Sequence, residues 1–73
     1  MNKQRDLFNV EYKTYVKGGN TLEILIVVDK VQEFTLWEGP KSSPKSMLAG
    51  KANSMPLKEF ESFWVRTLGY MER

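Results

Sequence analysis

Polar and apolar residues alternate along residues 7–17, which is the pattern of a β-strand with one buried face. The apolar side holds aromatic and β-branched residues, which favour strands: Phe8, Val10, Tyr12, Thr14 and Val16. The other side holds Asn9, Glu11, Lys13 and Lys17. The next residues, Lys17-Gly18-Gly19-Asn20, supply the glycines that a hairpin turn needs for positive φ angles. The pattern predicts that the apolar side of this strand faces the core.

Residues 21–29 are the most apolar part of the chain and predict a second strand. One face carries Leu22, Ile24, Ile26 and Val28, and the other carries Leu25 and Val27. Nearly continuous apolar character is typical of a central strand with both faces at least partly covered. A tight turn at Asp29-Lys30 and a third strand over residues 31–37 are expected to follow.

Residues 39–46 are predicted to form a loop, because two prolines, a glycine and three serines fall within them. Residues 47–52 fit either a short edge strand or an irregular approach to a helix, and we favour the strand.

A helix is predicted over residues 55–68, where apolar residues recur at steps of three and four. The stripe consists of Leu57, Phe60, Trp64, Leu68 and Met71. Asn53 or Ser54 fits the N-cap, and Gly69 fits the C-terminal cap. The sequence therefore predicts a single α+β domain over residues 1–73: an antiparallel meander of three strands, or four with residues 47–52, and one C-terminal helix packed on one face.

The composition argues against catalysis and against a cofactor. The 73 residues include no Cys and no His, so the chain has no disulfide, no thiol nucleophile, no Ser-His-Asp triad and no His or Cys zinc site. Glu59 and Glu61 diverge on a helix, and Gly50-Lys51 lacks the other residues of a phosphate-binding loop. Glu11 and Glu23 are expected either to face each other across the first hairpin or to be two solvated strand positions. We expect no enzyme, no cofactor and no metal.

The positive charge is concentrated in one part of a chain whose net charge is +2. Residues 39–53 carry Lys41, Lys45 and Lys51 and no acidic residue. These lysines fit a solvated loop, contact with an acidic protein surface, or contact with nucleic acid through its phosphates. The absence of arginine here excludes the commonest way of reading a guanine edge, so nucleic-acid contact would be independent of base sequence.

One helix covers only one face of a sheet, so the second face is the candidate binding surface. We expect it to carry Tyr15, Leu25, Val27 and Trp37. An apolar patch rich in Tyr and Trp is typical of a partner surface. The alternatives are coverage by the N-terminal arm or by residues 47–52, and a patch that is exposed without a role.

These observations predict a small non-enzymatic protein-binding module, an inhibitor or modulator that occupies a surface on a larger protein. Inhibitors encoded by viruses and mobile elements offer an analogy of size and type only. The alternatives are a nucleic-acid-binding sheet module and a small homodimeric structural subunit. No apolar run approaches the length of a membrane span and the N-terminal residues are polar, so we expect no membrane partner and a cytoplasmic protein, in the source cell or in an infected host.

Overall fold

The computed structural model describes residues 10–40 and 42–73, which form a five-stranded antiparallel sheet with one helical segment. The strands are β1 (Val10–Lys17), β2 (Asn20–Val27), β3 (Lys30–Glu38), β4 (Ser46–Pro56) and β5 (Met71–Glu72). The helical segment consists of the α-helix α1 (Leu57–Glu61) and a π-helical turn (Ser62–Thr67). The strand order is β4-β3-β2-β1-β5. The predicted α+β class, a meander sheet with a C-terminal helix, is confirmed. The predicted start of the first strand, residues 7–9, and Lys41 lie outside the described residues.

Two tight loops join the first three strands. Gly18 has a φ of 57°, which gives the first hairpin the positive φ angle expected of its glycines. In the second hairpin Val28 and Asp29 have φ angles of 50° and 64°, so both loop residues are left-handed, as a type I′ turn requires. The turn predicted at Asp29-Lys30 therefore lies one residue earlier, at Val28-Asp29. Val28 was assigned to the strand because a β-branched residue rarely adopts the left-handed conformation.

The prediction of which side of β1 faces the core is wrong. Tyr15 pairs with Leu22 in the β1–β2 register, and both side chains are buried on the face that the helical segment covers. Tyr12 and its even-numbered neighbours therefore lie on the opposite face. The helical segment can cover the side of β1 that carries Lys13 and Tyr15 because their polar atoms have partners there. Tyr15 donates a hydrogen bond to Glu61, and Lys13 forms ion pairs with Glu61 and Glu72.

Strand β4 has 11 residues and includes Met55 and Pro56, which were predicted to begin the helix. It pairs with β3 from Glu38↔Ser46 to Lys30↔Pro56, with an irregularity near its end. There Asn53 and Ser54 have φ angles of 53° and 60°, and the Ser54 hydroxyl donates a hydrogen bond of 3.1 Å to Gln32. The two residues therefore form a β-bulge and not the predicted N-cap. Asn and Ser are compatible with both a bulge and a helix N-cap, so the residue types alone do not distinguish them.

The helical segment follows the predicted stripe only in part. Phe60 is buried, and Leu57, Trp64 and Leu68 pack against the core. Gly69 has a φ of 89° and ends the segment, as expected of a C-terminal cap. Met71, predicted to extend the stripe, lies instead in β5 and is exposed, whereas Tyr70 is buried. The reason is that the chain leaves the helix before Met71 and returns to pair with β1.

The core lies between the sheet and the helical segment. It is built around Leu22, Ile24 and Ile26 of the central strand β2. The other buried hydrophobic side chains are Tyr15, Val31, Phe60 and Tyr70. Among residues 10–40 and 42–73 the helical segment packs on this face, so the opposite face is the candidate surface for contact with other molecules.

Candidate functional site

The face of the sheet opposite the helical segment, called the outer face below, carries two apolar groups of side chains. The strand registers align one group, apolar apart from the buried Thr21, as a row across all five strands: Met47, Trp37, Thr21, Val16 and Met71. The second group lies nearer the other end of β1 and β2: Val10, Tyr12, Leu25 and Val27. Polar side chains lie between them, with Thr14 paired to Glu23 and Glu23 to Thr35.

Three large hydrophobic side chains of the outer face are each more than 60% exposed to solvent. Tyr12 is 65% exposed, Met47 63% and Met71 68%. Leu25, Val27 and Trp37, which the sequence assigned to this face, are half-buried on it. Their role in binding stays a prediction. Tyr12 and Met71 were missed because their spacing matched the core-facing stripes of a strand and of a helix.

Tyr15 is not part of this surface, which corrects its predicted role. Its side chain is 1% exposed and packs in the core on the helix side of the sheet. The error follows from predicting the wrong side of β1 as the core side. Because side chains alternate along a strand, that mistake places every side chain of β1 on the wrong face.

A polar network links β1 to the helical segment and to β5. The Tyr15 hydroxyl donates a hydrogen bond of 2.7 Å to Glu61 Oε2. Lys13 Nζ lies 3.7 Å from Glu61 Oε2 and 3.3 Å from Glu72 Oε2. One ammonium group therefore bridges two carboxylates from different elements. Lys58 and Arg66 line the open groove of about 480 Å³ beside this network.

The raised pKa values in this network keep protons on Tyr15 and Lys13, which disfavours proton transfer. Burial, reinforced by the hydrogen bond to Glu61, raises the pKa of Tyr15 far above its ordinary value. Partial burial alone would lower the pKa of Lys13, but the hydrogen bond to Glu72 and the charges of Glu72, Glu61 and Glu11 raise it above its ordinary value. A phenol that stays protonated is a hydrogen-bond donor and not a general base, so the arrangement holds elements together.

The expected alternative of a Glu11–Glu23 pair across the first hairpin is ruled out by the register. Glu11 is opposite Ile26, and Glu23 is opposite Thr14. Because adjacent positions of a strand alternate between faces, Glu11 lies on the helix side and Glu23 on the outer face. The two carboxylates do not share a site.

Lys45 and Lys51, two of the three lysines assigned to one basic loop, do not lie together in a loop. Lys41 lies outside the described residues, and Lys45 is exposed in the loop before β4. Lys51 lies within β4, where its ammonium group is 3.3 Å from Glu33 Oε2. Lys45 and Lys51 are separated by six steps of nearly extended chain, roughly 20 Å at the rise of a strand. The assignment of Lys51 to the basic loop is therefore wrong, because β4 starts at Ser46 and contains it.

An apolar groove of about 660 Å³, not among the predicted sites, lies between β4 and the helical segment. Its lining includes Phe34, Met55, Phe63 and Trp64. The Trp64 ring is the centre of an aromatic cluster, with ring centroids 5.8 Å from Phe34, 5.5 Å from Phe60 and 5.8 Å from Phe63. Phe63 lies off the predicted apolar stripe of the helix, and this position was a usable indication of an apolar surface there.

Within residues 10–40 and 42–73 no group of three or more metal-ligating side chains could hold a metal ion. No helix in the described part of the chain is long and apolar enough to cross a membrane. Comparison of the chain with protein-family models, with curated proteins and with solved structures found no match.

Proposed function

We propose that the chain is a non-enzymatic protein-binding module that docks its outer face on a larger protein. The supporting observation is the apolar row across all five strands together with the second apolar group around Tyr12. A partner that covered both groups would contact the whole width of the sheet. The predicted residues Leu25, Val27 and Trp37 form the half-buried part of this surface, and Tyr12, Met47 and Met71 form its exposed part.

The exposed side chains supply the favourable free energy of docking. Tyr12, Met47 and Met71 are each more than 60% exposed. Covering each of them with an apolar partner surface contributes about 1–2 kcal/mol from the area removed from water. The polar row between the two apolar groups, which includes Thr14 and Thr35, favours a partner surface that is polar at that place.

The proposed action is steric: the bound module inhibits or modulates its target by occupying a surface that another molecule needs. Lys45 is exposed beside β4 and adds charge attraction toward an acidic target, which speeds encounter and weakens as salt is added. A cytoplasmic location, in the source cell or an infected host, is part of the proposal. A cysteine-free sequence supports it, since reducing compartments do not favour disulfides.

The experiment is affinity capture from a lysate of the source cell or its host, after nuclease treatment, with wild type and two variants. The outer-face variant is Tyr12→Ser/Met71→Ser, which leaves the buried core intact. The control is Lys58→Ser, an exposed position on the helical segment. We expect one stoichiometric protein partner with wild type and the control, and at least about tenfold weaker binding with the outer-face variant.

Two results would contradict the proposal. The first is a partner that binds the outer-face variant as tightly as wild type. The second is recovery of nucleic acid only, or of proteins that are lost after nuclease treatment, which would favour the phosphate-contacting alternative. Light scattering of the purified protein adds a third outcome: a dimer disrupted by Tyr12→Ser/Met71→Ser would identify the outer face as a contact between two copies.

A further inference from the structure

Strand β4 forms one edge of the sheet, and within residues 10–40 and 42–73 only β3 pairs with it. In that part of the chain, no backbone hydrogen bond outside the regular elements involves residues 46–56. Along an antiparallel edge, alternate residues direct their N–H and C=O groups away from the sheet. β4 therefore presents a row of backbone groups that can pair with a further strand.

Most of the sheet edge is protected against such pairing. Short strands, bulges, prolines and charged side chains are the usual protections. At the far edge β5 has two residues, and the part of β1 that it leaves uncovered carries Glu11 and Lys13. In the second half of β4 the Asn53-Ser54 bulge interrupts the strand, and Pro56 ends it without an N–H group. These parts of the edge do not favour pairing.

The first half of β4 lacks all of these protections. Residues 46–50 pair regularly with β3 and contain no charged residue and no proline. They carry exposed apolar side chains on both faces of the sheet: Met47, 63% exposed, on the outer face and Leu48, 60% exposed, on the helix side. An open edge with exposed apolar residues is a typical site of strand pairing between chains.

The side chains of this half are complementary to a second copy of the same strand. In an antiparallel pair centred on Ala49, Leu48 of each copy lies opposite Gly50 of the other, because the two positions are one step on either side of the centre. Gly50 has no side chain, and the ring of Phe34 lies against its backbone. Leu48 can therefore occupy the space beside Gly50 and contact that ring. A large side chain meets a small one at both symmetric positions.

The charges near the edge also fit this register. The Lys51 ammonium group lies 3.3 Å from Glu33 Oε2, so its charge is partly balanced within its own chain. Met47 of the second copy lies opposite Lys51 and contacts the aliphatic part of its side chain. A register centred on Leu48 would instead place Lys45 opposite Lys51 of the other copy, and like charges directly opposite each other destabilise a strand pair.

We propose that β4 pairs with β4 of a second copy, antiparallel and centred on Ala49, to form a two-fold symmetric dimer. A two-fold contact uses the same patch on both copies, as this self-complementary strand allows. Because side chains directly opposite each other share a face, the outer faces of the two copies lie on the same side of one continuous sheet. The contact involves few residues, so we expect a weak dimer with a dissociation constant of about 0.1 mM.

The test is a charge exchange at the centre of the pair. At the two-fold axis Ala49 lies opposite itself, and it is exposed, so a charged residue there is expected to leave the fold of the single chain intact. Ala49→Lys and Ala49→Glu each bring like charges together, and each is expected to weaken dimerisation at least about tenfold. An equimolar mixture of the two is expected to restore a dimer at least as strong as that of wild type. Sedimentation velocity at about 10 µM to 1 mM protein measures the dissociation constants.

Val10→Lys and Val10→Glu are the matched control. Val10 is an exposed apolar residue on the same face of the sheet, and β2 and β3 separate it from β4. Each control variant is expected to dimerise as wild type does, and their mixture should give no gain. Circular dichroism of every variant checks that its fold matches that of wild type.

Three results would overturn the proposal: a wild type that stays monomeric at about 1 mM, an Ala49→Lys variant that dimerises as wild type does, or a mixture of the two folded Ala49 variants that stays monomeric. A dimer lost in Tyr12→Ser/Met71→Ser but kept in Ala49→Lys would place the contact on the outer face instead. The proposal is independent of the proposed function, because edge pairing leaves Tyr12 and Met71 accessible on β1 and β5. Partner capture therefore tests the proposed function separately.

Discussion

Tyr15 and Glu61 are joined by a hydrogen bond of 2.7 Å that ties the first strand to the helical segment. The phenol is buried and the carboxylate is half-buried, so the bond is only partly screened by water. It also fixes the position of a carboxylate that Lys13 shares with Glu72. The bond therefore contributes to the stability of three elements at once.

Replacing Tyr15 by Phe is expected to lower the free energy of unfolding by about 1–2 kcal/mol, because the carboxylate of Glu61 loses a donor while the packing of the ring is kept. Urea denaturation measures the change. The control is Tyr12→Phe, which removes a hydroxyl from a side chain that is largely exposed and is expected to have no measurable effect. Equal stability of the two variants would show that the hydrogen bond contributes nothing.

Stability is also expected to fall at alkaline pH. The pKa of Tyr15 is raised above its ordinary value of 10.0, so the folded state retains a proton that the unfolded state loses. The stabilisation is complete below about pH 10 and is lost as pH rises above it. Lys13, whose pKa is also raised, acts in the same direction.

The measurement is urea denaturation between neutral pH and pH above 10, for wild type and Tyr15→Phe. The fall above pH 10 should be shallower for Tyr15→Phe, since one of the two linked groups is gone. A wild-type stability that stays constant or rises over this range would contradict the linkage.

Gly50 is predicted to tolerate no side chain. A Cβ atom at this position would lie 2.6 Å from Phe34 Cζ. The Phe34 ring is held by Phe60 and Trp64, at centroid distances of 6.3 Å and 5.8 Å, so it cannot move away freely. Gly50→Ala should therefore lower stability by about 1–3 kcal/mol.

The matched control is Gly19→Ala, because nothing lies within 4 Å of a Cβ atom built there. It is expected to change stability by less than about 0.5 kcal/mol. Thermal denaturation followed by circular dichroism compares the two variants. A melting temperature of Gly50→Ala equal to that of Gly19→Ala would argue against close packing of Phe34 on the strand.

Val28 is a site where substitution is expected to raise stability. Its φ of 50° is unfavourable for a β-branched residue, and its side chain is exposed, so little packing is lost on replacement. Val28→Asn should stabilise the protein by about 1 kcal/mol, because Asn adopts the left-handed conformation readily. The same change at Val10, an exposed valine in regular strand conformation, should give no gain in melting temperature. A destabilised Val28→Asn would assign the valine a packing role.

The sequence predicted those features that depend on local pattern. The glycines of the first hairpin and the apolar run of the second strand led to the correct meander, and Phe60 with Trp64 led to the correct helix face. The face of β1 could not be predicted, because tyrosines stand on both sides of that strand. The decisive groups are Glu61 and Glu72, which satisfy the polar side from distant positions in the chain.

The fourth strand and the candidate surfaces were harder to predict for a similar reason. β4 shows no alternation, and its Asn53-Ser54 bulge resembles a helix cap in sequence. The outer-face row depends on strand registers, and Met71 joins it only because β5 returns to pair beside β1. The apolar groove beside β4 brings together Phe34, Met55 and Phe63 from distant positions in the chain. Long-range pairing of this kind is absent from a local pattern.

The pairing of β5 with β1 also has a consequence for the order of folding. Hairpins and one loop join β1 through β4, so pairing these strands requires the closure of short loops only. Val16 and Met71 pair across most of the described chain, which carries the largest entropic cost of ordering. β5 is therefore expected to join last, after the sheet and the helical segment have formed. Only at that step does Lys13 acquire its second carboxylate, so the network around Tyr15 closes when the native sheet is complete.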